Sequence, residues 1–260
     1  MTLRSNGINR LAECTAFAAV LLFTACTGGQ TENKTDTAAK KPDTTHVVQE
    51  VKNTPPKNYY GIDISQWNGN IAEDLPKVDS LTFMICKATE GIDFVDPDFY
   101  NNWKMVKEKG FIRGAYHFYH TDDDPLKQAE FFLSKVKDID STDMPLIIDI
   151  EQESLPQGAQ VDMQKLQSDL LTFMQQLEAK SKRIPILYTD YAFANMYLVN
   201  DVFAKYPLWL AEYSGGSTPL IPQTWKNAGY MIWQKTDHYD VNMNAVDFDE
   251  FHGEKTSLTD

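Results

Sequence analysis

Two acids close an otherwise apolar run near the middle of the chain. The stretch PLIIDIE, Pro145 to Glu151, passes through Leu146, Ile147 and Ile148 and ends on Asp149 and Glu151. Such a run suits a strand buried on both faces, where a carboxylate finds little water. Side chains alternate along a strand, so Asp149 and Glu151 point to one side with backbones about 6.6 Å apart. Taken alone, the pattern fits equally well a strand end entering a solvated acidic loop. Other acids favour a shared pocket: Asp63 lies in GIDIS and Asp247 in VDFDEF. Aromatic residues stand at comparable places, namely Trp67, Tyr116, Phe118, Tyr188, Trp209, Tyr213 and Trp233. Carboxylates ringed by aromatic faces suit a carbohydrate, and glycosidic cleavage asks for one proton donor and one anionic stabiliser. Several carboxylates in one pocket cannot all ionise easily, so at least one should keep its proton near neutral pH. About half of the aromatics are expected in the core instead.

The elements that must position these residues recur from Tyr59 onward. Strand-like runs are YYGIDIS, LTFMICKAT, FIRGAYHFY, PLIIDIE, IPILYTD, PLWLAEY, GYMIWQKT and AVDFDEF. Helical stretches lie between the earlier ones. Asp96-Pro97 and Asp124-Pro125 each fit an N-cap followed by proline at the first helical position. From about Val161 to Lys180, the residues Leu166, Leu170, Met174 and Leu177 form one apolar helix face. A further helix is expected after Asp190. Beyond Pro207 the connections are short and contain Gly215, Gly216, Pro219 and Pro222, which leaves little room for helices. Alternating strand and helix predicts parallel strands with helical crossovers, closing as an α/β barrel with an irregular last third. An open doubly wound sheet is the alternative, but its Gly-rich first turn is missing. In a barrel the chemistry gathers at the carboxyl ends of the strands, and strands one and eight are neighbours, so Asp63 and Asp247 should meet.

The remaining polar residues read more simply. His117 is expected to be a hydrogen-bonded structural histidine. Asp249 and Glu250 read as surface charges; Asp93, Asp96, Asp122, Asp123 and Asp124 read as loop and cap residues. Lys87 and Glu90 approach the cleft without an assigned role. Cys86, in an apolar run, reads as a small core residue.

The chain has 260 residues, 42% hydrophobic, with a formal charge of −13. That balance disfavours nucleic acid, which needs clustered cations. There is no Gly-rich phosphate loop and no His or Cys cluster with zinc spacing, so no metal or other cofactor is expected. At the N-terminus Arg4 and Arg10 precede the apolar segment Cys14 to Ala25 and then Cys26, the order of an export signal. FTAC, Phe23 to Cys26, resembles the processing site of bacterial lipoproteins, which implies lipidation of Cys26. Residues 1–26 are then a signal, 27–58 a polar disordered linker, and 59–255 the barrel. The expectation is an exported monomer held by lipid in the bacterial envelope. A linker of about 32 residues gives it a reach on the order of 30 Å.

Together GIDISQWNG, FMICKATEG, FVDPDFYNNW, GAYHFY, PLIIDIE, LWLAEY, IWQ and VDFDEF, in this order, resemble glycoside hydrolase family 25. Lysozyme-type muramidases of this family include the Chalaropsis-type enzyme and phage endolysins. The resemblance implies a flattened, irregular barrel of eight strands with about five helices. It also implies cleavage of the β-1,4 bond between N-acetylmuramic acid and N-acetylglucosamine in peptidoglycan. By motif, Glu151 falls on the proton donor, and Asp149, Asp63 and Asp247 on the acids at the base of the cleft. Retention assisted by the substrate and inversion both remain open. The loop Gln66-Trp67-Asn68 departs from the histidine or glutamine common in the family, and the loop after Glu151, QESLPQGAQ, is the chain's own. Two alternatives on the same scaffold are a glycan-binding module without catalysis and a hydrolase of another amino-sugar polymer such as chitin.

Overall fold

The computed structural model describes residues 57–260 apart from 70, 76–79, 159 and 242–243. The expected export segment, Cys26 and nearly all of the expected linker lie outside the described residues. The first strand starts at Lys57, two residues before the expected boundary.

Nine strands are described: β1 (Lys57–Ile64), β2 (Leu81–Glu90), β3 (Phe94–Val95), β4 (Ile112–Phe118), β5 (Ile147–Asp149), β6 (Ile186–Asp190), β7 (Leu208–Ala211), β8 (Ile232–Val241) and β9 (Asn244–Gly253). Their order is β1-β9-β8-β7-β6-β5-β4-β2-β3, and β1 also pairs with β2. Eight strands therefore close a barrel, while β3 folds back on β2 outside the ring. All eight expected strands are present. Five helices accompany them: α1 (Ile71–Asp74), α2 (Phe99–Glu108), α3 (Pro125–Lys135), α4 (Met163–Ser181) and α5 (Tyr191–Tyr197).

The barrel is not wholly parallel, contrary to the expectation. β9 runs antiparallel to both β8 and β1. The reason is chain length: a parallel return needs a crossover of a dozen residues or more, and only residues 242–243 separate β8 from β9. The helix-poor last third is as expected, with a 3-10 turn at Gln223–Trp225 between β7 and β8.

Alternation along the strands builds two apolar layers. Outward-facing Ile62, Ile64, Met84, Cys86, Ala115, Ile148, Leu187, Leu208 and Leu210 pack with helix residues, among them Trp103, Phe132, Leu170, Phe173, Met174 and Phe193. Inward-facing Phe83, Ile85, Ile147, Ile186, Tyr188, Trp209, Ile232 and Phe251 fill the barrel, joined by Leu258. Gly61 is required inside it, because a Cβ there would sit 2.2 Å from the Phe83 ring.

Local chemistry sets the helix starts. Asp124 caps α3 by accepting from the Leu126 and Lys127 amides, and Asp190 caps α5. α4 buries Leu166, Leu170, Met174 and Leu177 as its pattern requires. Asp96 behaves differently from the expectation. Helix α2 begins two residues later, at Phe99, and Asp96 instead accepts from the Gln66 and Asp98 amides at 2.9 Å each. It ties the loop after β1 to the start of α2. Cys86 is fully buried. His117 is equally buried, with Nδ1 2.8 Å from the Thr89 hydroxyl and Nε2 3.2 Å from Gln128 Oε1, and burial lowers its pKa to about 3.

Candidate active site

The acids gather at one rim. Asp149 is the last residue of β5; its carbonyl accepts from the Tyr119 amide, and Ile150 N–H donates to the Tyr188 carbonyl, so the strand end is held on both sides. Glu151 follows in extended conformation and starts the 3-10 turn Gln152–Ser154. Its backbone is fixed reciprocally: Glu151 N–H donates to Ser154 Oγ at 3.1 Å and Ser154 N–H donates to the Glu151 carbonyl at 3.0 Å. On β1, Asp63 lies near the carboxyl end and pairs directly opposite Asp247 of β9. Asp247 sits in the first half of its strand, and reaches the same rim because that strand runs the other way.

Burial and crowding tune these groups together. Asp63 and Asp149, each 7% exposed, are pushed well above the usual carboxylate range. For Asp63 the causes are burial, then Asp247 and Asp249; for Asp149 they are burial, then Glu151. Glu151 rises to about 7, through burial and then the charges of Glu153, Asp190 and Asp247, against the nearby Lys87 ammonium. Burial also raises Asp247, while a hydrogen bond with the Asp63 carboxyl opposes the rise. A carboxyl with such a pKa can donate a proton at neutral pH. Asp149 Oδ1 is buried without a hydrogen-bond partner in the protein, which leaves it available as an acceptor.

A polar hub beneath the rim was not assigned from the sequence. Gln234 of β8, 2% exposed, donates from Nε2 to Asp63 Oδ2 at 2.8 Å. Its Oε1 accepts from the Tyr188 hydroxyl at 2.9 Å and from the Tyr213 hydroxyl. Asp249 is likewise corrected from surface charge to interior group: it is fully buried, accepts from Trp209 Nε1 at 2.8 Å, and burial holds its pKa well up. The D-F-D alternation, which puts Asp249 on the face of Asp247, was the available signal. Glu250 is buried on the opposite face, where it meets Lys235, His252 and Asn58. Lys87 lies 2.7 Å from Glu90 and 4.9 Å over the Phe118 ring, and Glu90 also contacts His120.

The aromatics divide. Tyr116 and Phe118 are half-buried inward-facing residues of β4, Tyr188 is buried beside the acids, and Tyr213 is 49% exposed on the loop after β7. Trp67 is 82% exposed. It lines a cavity of about 350 Å³ with Lys87, Glu90, Phe94 and His120. Trp209 and Trp233 are not available for stacking. Trp209 is a barrel-core residue packed on Tyr188. Trp233 faces the other side of the sheet, paired with Leu210, and its indole donates to the Glu212 carbonyl. A larger cavity of about 550 Å³, lined by Trp103, Lys104 and Arg113, contains none of the four acids. Among the described residues, no group of three or more His, Cys, Asp or Glu is placed to hold a metal ion.

Comparison with known proteins places this geometry. YegX of Escherichia coli (strain K12) is 30% identical over 203 residues, covering 75% of this chain and 70% of YegX. Lysozyme M1 of Streptomyces globisporus is 29% identical over 206 residues, 76% of this chain and 69% of its own length. The crystal structure of the bacterial lysozyme from Streptomyces coelicolor superposes with a TM-score of 0.70 at 28% identity, covering 78% of this chain and 96% of that one. The sequence signature of glycosyl hydrolases family 25 matches residues 62–243, a span that contains Asp63, Asp149, Glu151 and Gln234. With barrel, acid rim and signature in agreement, this chain belongs to glycosyl hydrolases family 25.

Proposed function

We propose that the protein is a lysozyme-type muramidase that hydrolyses the β-1,4 bond between N-acetylmuramic acid and N-acetylglucosamine in peptidoglycan. The observation that carries this reading is a glutamic acid with its pKa near 7 at the edge of a four-carboxyl rim, in a family 25 barrel. Glu151 donates its proton to the leaving oxygen. Asp149, with Oδ1 buried and unpartnered in the protein, accepts from the N–H of the substrate's 2-acetamido group, orienting the acetamido oxygen toward the anomeric carbon. Asp63 and Asp247 stabilise the positive charge that develops on the sugar ring. Tyr116, Phe118, Tyr213 and Trp67 supply faces for the glycan. The test is digestion of purified peptidoglycan by the full chain beside Glu151→Gln, with mass spectrometry of borohydride-reduced products. Fragments ending in reduced N-acetylmuramic acid, absent with the variant, are expected. Binding without cleavage by both proteins would make the barrel a glycan-holding module, and faster cleavage of chitin oligomers would move the substrate.

We also infer export and lipid attachment at Cys26, supported by the basic and apolar order that precedes it. Cys26→Ala should leave the membrane fraction; equal partitioning of variant and wild type would end the idea.

A further inference from the structure

A cavity beside the acid rim carries charges that a neutral sugar does not use. It holds about 350 Å³ and is lined from the loop after β1, the turn between β2 and β3, and the loop after β4. Lys87 is its buried cation. Nζ lies 4.9 Å over the Phe118 ring and 5.9 Å over the Phe94 ring, and donates to Glu90 Oε2 at 2.7 Å. An ammonium has three protons, so donors remain for a ligand. Glu90 Oε1 is 2.9 Å from His120 Nε2. Asp93 and Asp123 add two further carboxylates to the lining. Asp123 lies close against Gly91, where φ is +53° and a Cβ would meet Asp123 Oδ2 at 2.9 Å. The exposed Trp67 stands on a pinned turn. Its amide donates to Ser65 Oγ at 3.3 Å, the Gln66 amide to Asp96 Oδ2 at 2.9 Å, and Asn68 Nδ2 to the Ala245 carbonyl at 3.3 Å. The indole is thus an apolar wall set in place before any ligand arrives. An ion pair across the barrel mouth would account for Lys87 and Glu90, but not for this wall or the two further carboxylates.

Strand register sets the distance to the chemistry. Glu90 pairs with Phe118, and Phe118 with Asp149. Two strand spacings put the Glu90 and Asp149 backbones about 10 Å apart. In the muramidase reading Asp149 holds the 2-acetamido group of N-acetylmuramic acid, and the lactyl arm leaves from the next ring carbon. Two extended residues span about 7 Å, so a peptide on that arm reaches the cavity with its first residues. We propose that this cavity binds the stem peptide of peptidoglycan, with Lys87 taking a peptide carboxylate and Glu90, Asp93 and Asp123 taking its N–H groups or an ammonium. This rests on the muramidase reading and deepens it. Naked glycan offers neither charge, so Lys87, Asp93 and Trp67 become residues that favour peptide-bearing strands.

The test compares cleavage of intact peptidoglycan with cleavage of the same strands stripped of peptide by an amidase, using the full chain. The ratio of the two kcat/KM values should be about 10 or more for wild type, and should fall about threefold or more in Lys87→Gln, Asp93→Asn and Trp67→Ala. A ratio cancels any effect of a variant on the chemistry itself. Asp93 and Trp67 are exposed, so their variants keep the test informative if Lys87→Gln does not fold. A wild-type ratio near one overturns the proposal, as does a high ratio that no folded variant lowers. A second readout needs no cleavage. In an NMR titration the tripeptide L-alanyl-γ-D-glutamyl-L-lysine should move the Trp67 indole and His120 ring signals, and Asp93→Asn should weaken that binding about threefold or more. Unmoved signals overturn the proposal, and so does equal movement of the His120 signal by a chitin oligomer at the same concentration. Where neither polymer is cleaved, the muramidase reading falls and the titration alone decides what the cavity binds.

Discussion

Asp190 ends β6 beside Glu151, two residues past the end of β5, and its carboxylate is committed to capping α5, where Oδ1 accepts from Ala192 N–H at 2.7 Å and Phe193 N–H at 2.9 Å. An acid fixed by a helix start thus lies beside the proposed proton donor, with Glu153 on the following turn. Both help to hold the proton on Glu151.

The pH dependence follows from that proton. With Glu151 as the proposed donor, cleavage requires its protonated form, so kcat/KM should fall above about pH 7. Because Asp190 also caps α5, Glu153→Gln is the cleaner probe, and it should move the alkaline limb downward by about half a unit. An unmoved limb in Glu153→Gln would remove Glu153 from the charges that tune Glu151 and leave burial with Asp190 and Asp247.

The same shift is a stability statement. A group whose pKa rises on folding, here from 4.5 to about 7, stabilises fully below the unfolded value, and that contribution is lost as pH rises through the folded value. With allowance for its partial exposure, ionising Glu151 should cost about 2 kcal/mol by pH 8. Urea denaturation should therefore find Glu151→Gln more stable than wild type at pH 8 and equal to it at pH 4.

His117 works in the opposite sense. Its pKa is lowered on folding to about 3, so stability is present above the unfolded value near 6.5 and is lost as pH falls through that window. The loss should reach about 4 kcal/mol by pH 3 for a fully buried imidazole. A His117→Gln variant should show a flatter acid limb in denaturation, with cleavage per folded molecule unchanged.

Arg113 and Asp143 give a purely structural contrast. Both side chains are 2% exposed, joined through Nε at 2.7 Å and Nη2 at 3.0 Å, and the guanidinium stacks on Trp103 at 3.7 Å. Asp143→Ala leaves the buried cation without its closest anion and should cost about 3 to 5 kcal/mol. Calorimetry should show the drop while kcat at low temperature stays near wild type.

Much of this was legible in the sequence. Each barrel strand announced itself by β-branched and aromatic runs, and α4 by spacing at Leu166, Leu170, Met174 and Leu177. What escaped were relations across the sheet. The reversal of β9 was implied by the two residues between β8 and β9, too few for any crossover. The burial of Trp233 and Asp249 depends on what the other elements lay over their faces, although the D-F-D alternation already sets Asp249 on the face of Asp247. Gln234 stood in the IWQ motif with no role assigned, since its partners Tyr188, Tyr213 and Asp63 lie on three other segments.

The seam between β1 and β9 has a further consequence for when the acid cluster comes together. Gln234 and Asp63 meet across 171 residues of chain, and Asp247 joins them only when the last strand docks against the first. A nascent or truncated polypeptide lacking β9 therefore carries Glu151, the proposed donor, without the assembled acid pair. The acid cluster is complete only once β9 has docked, after nearly all of the barrel's residues have been synthesised.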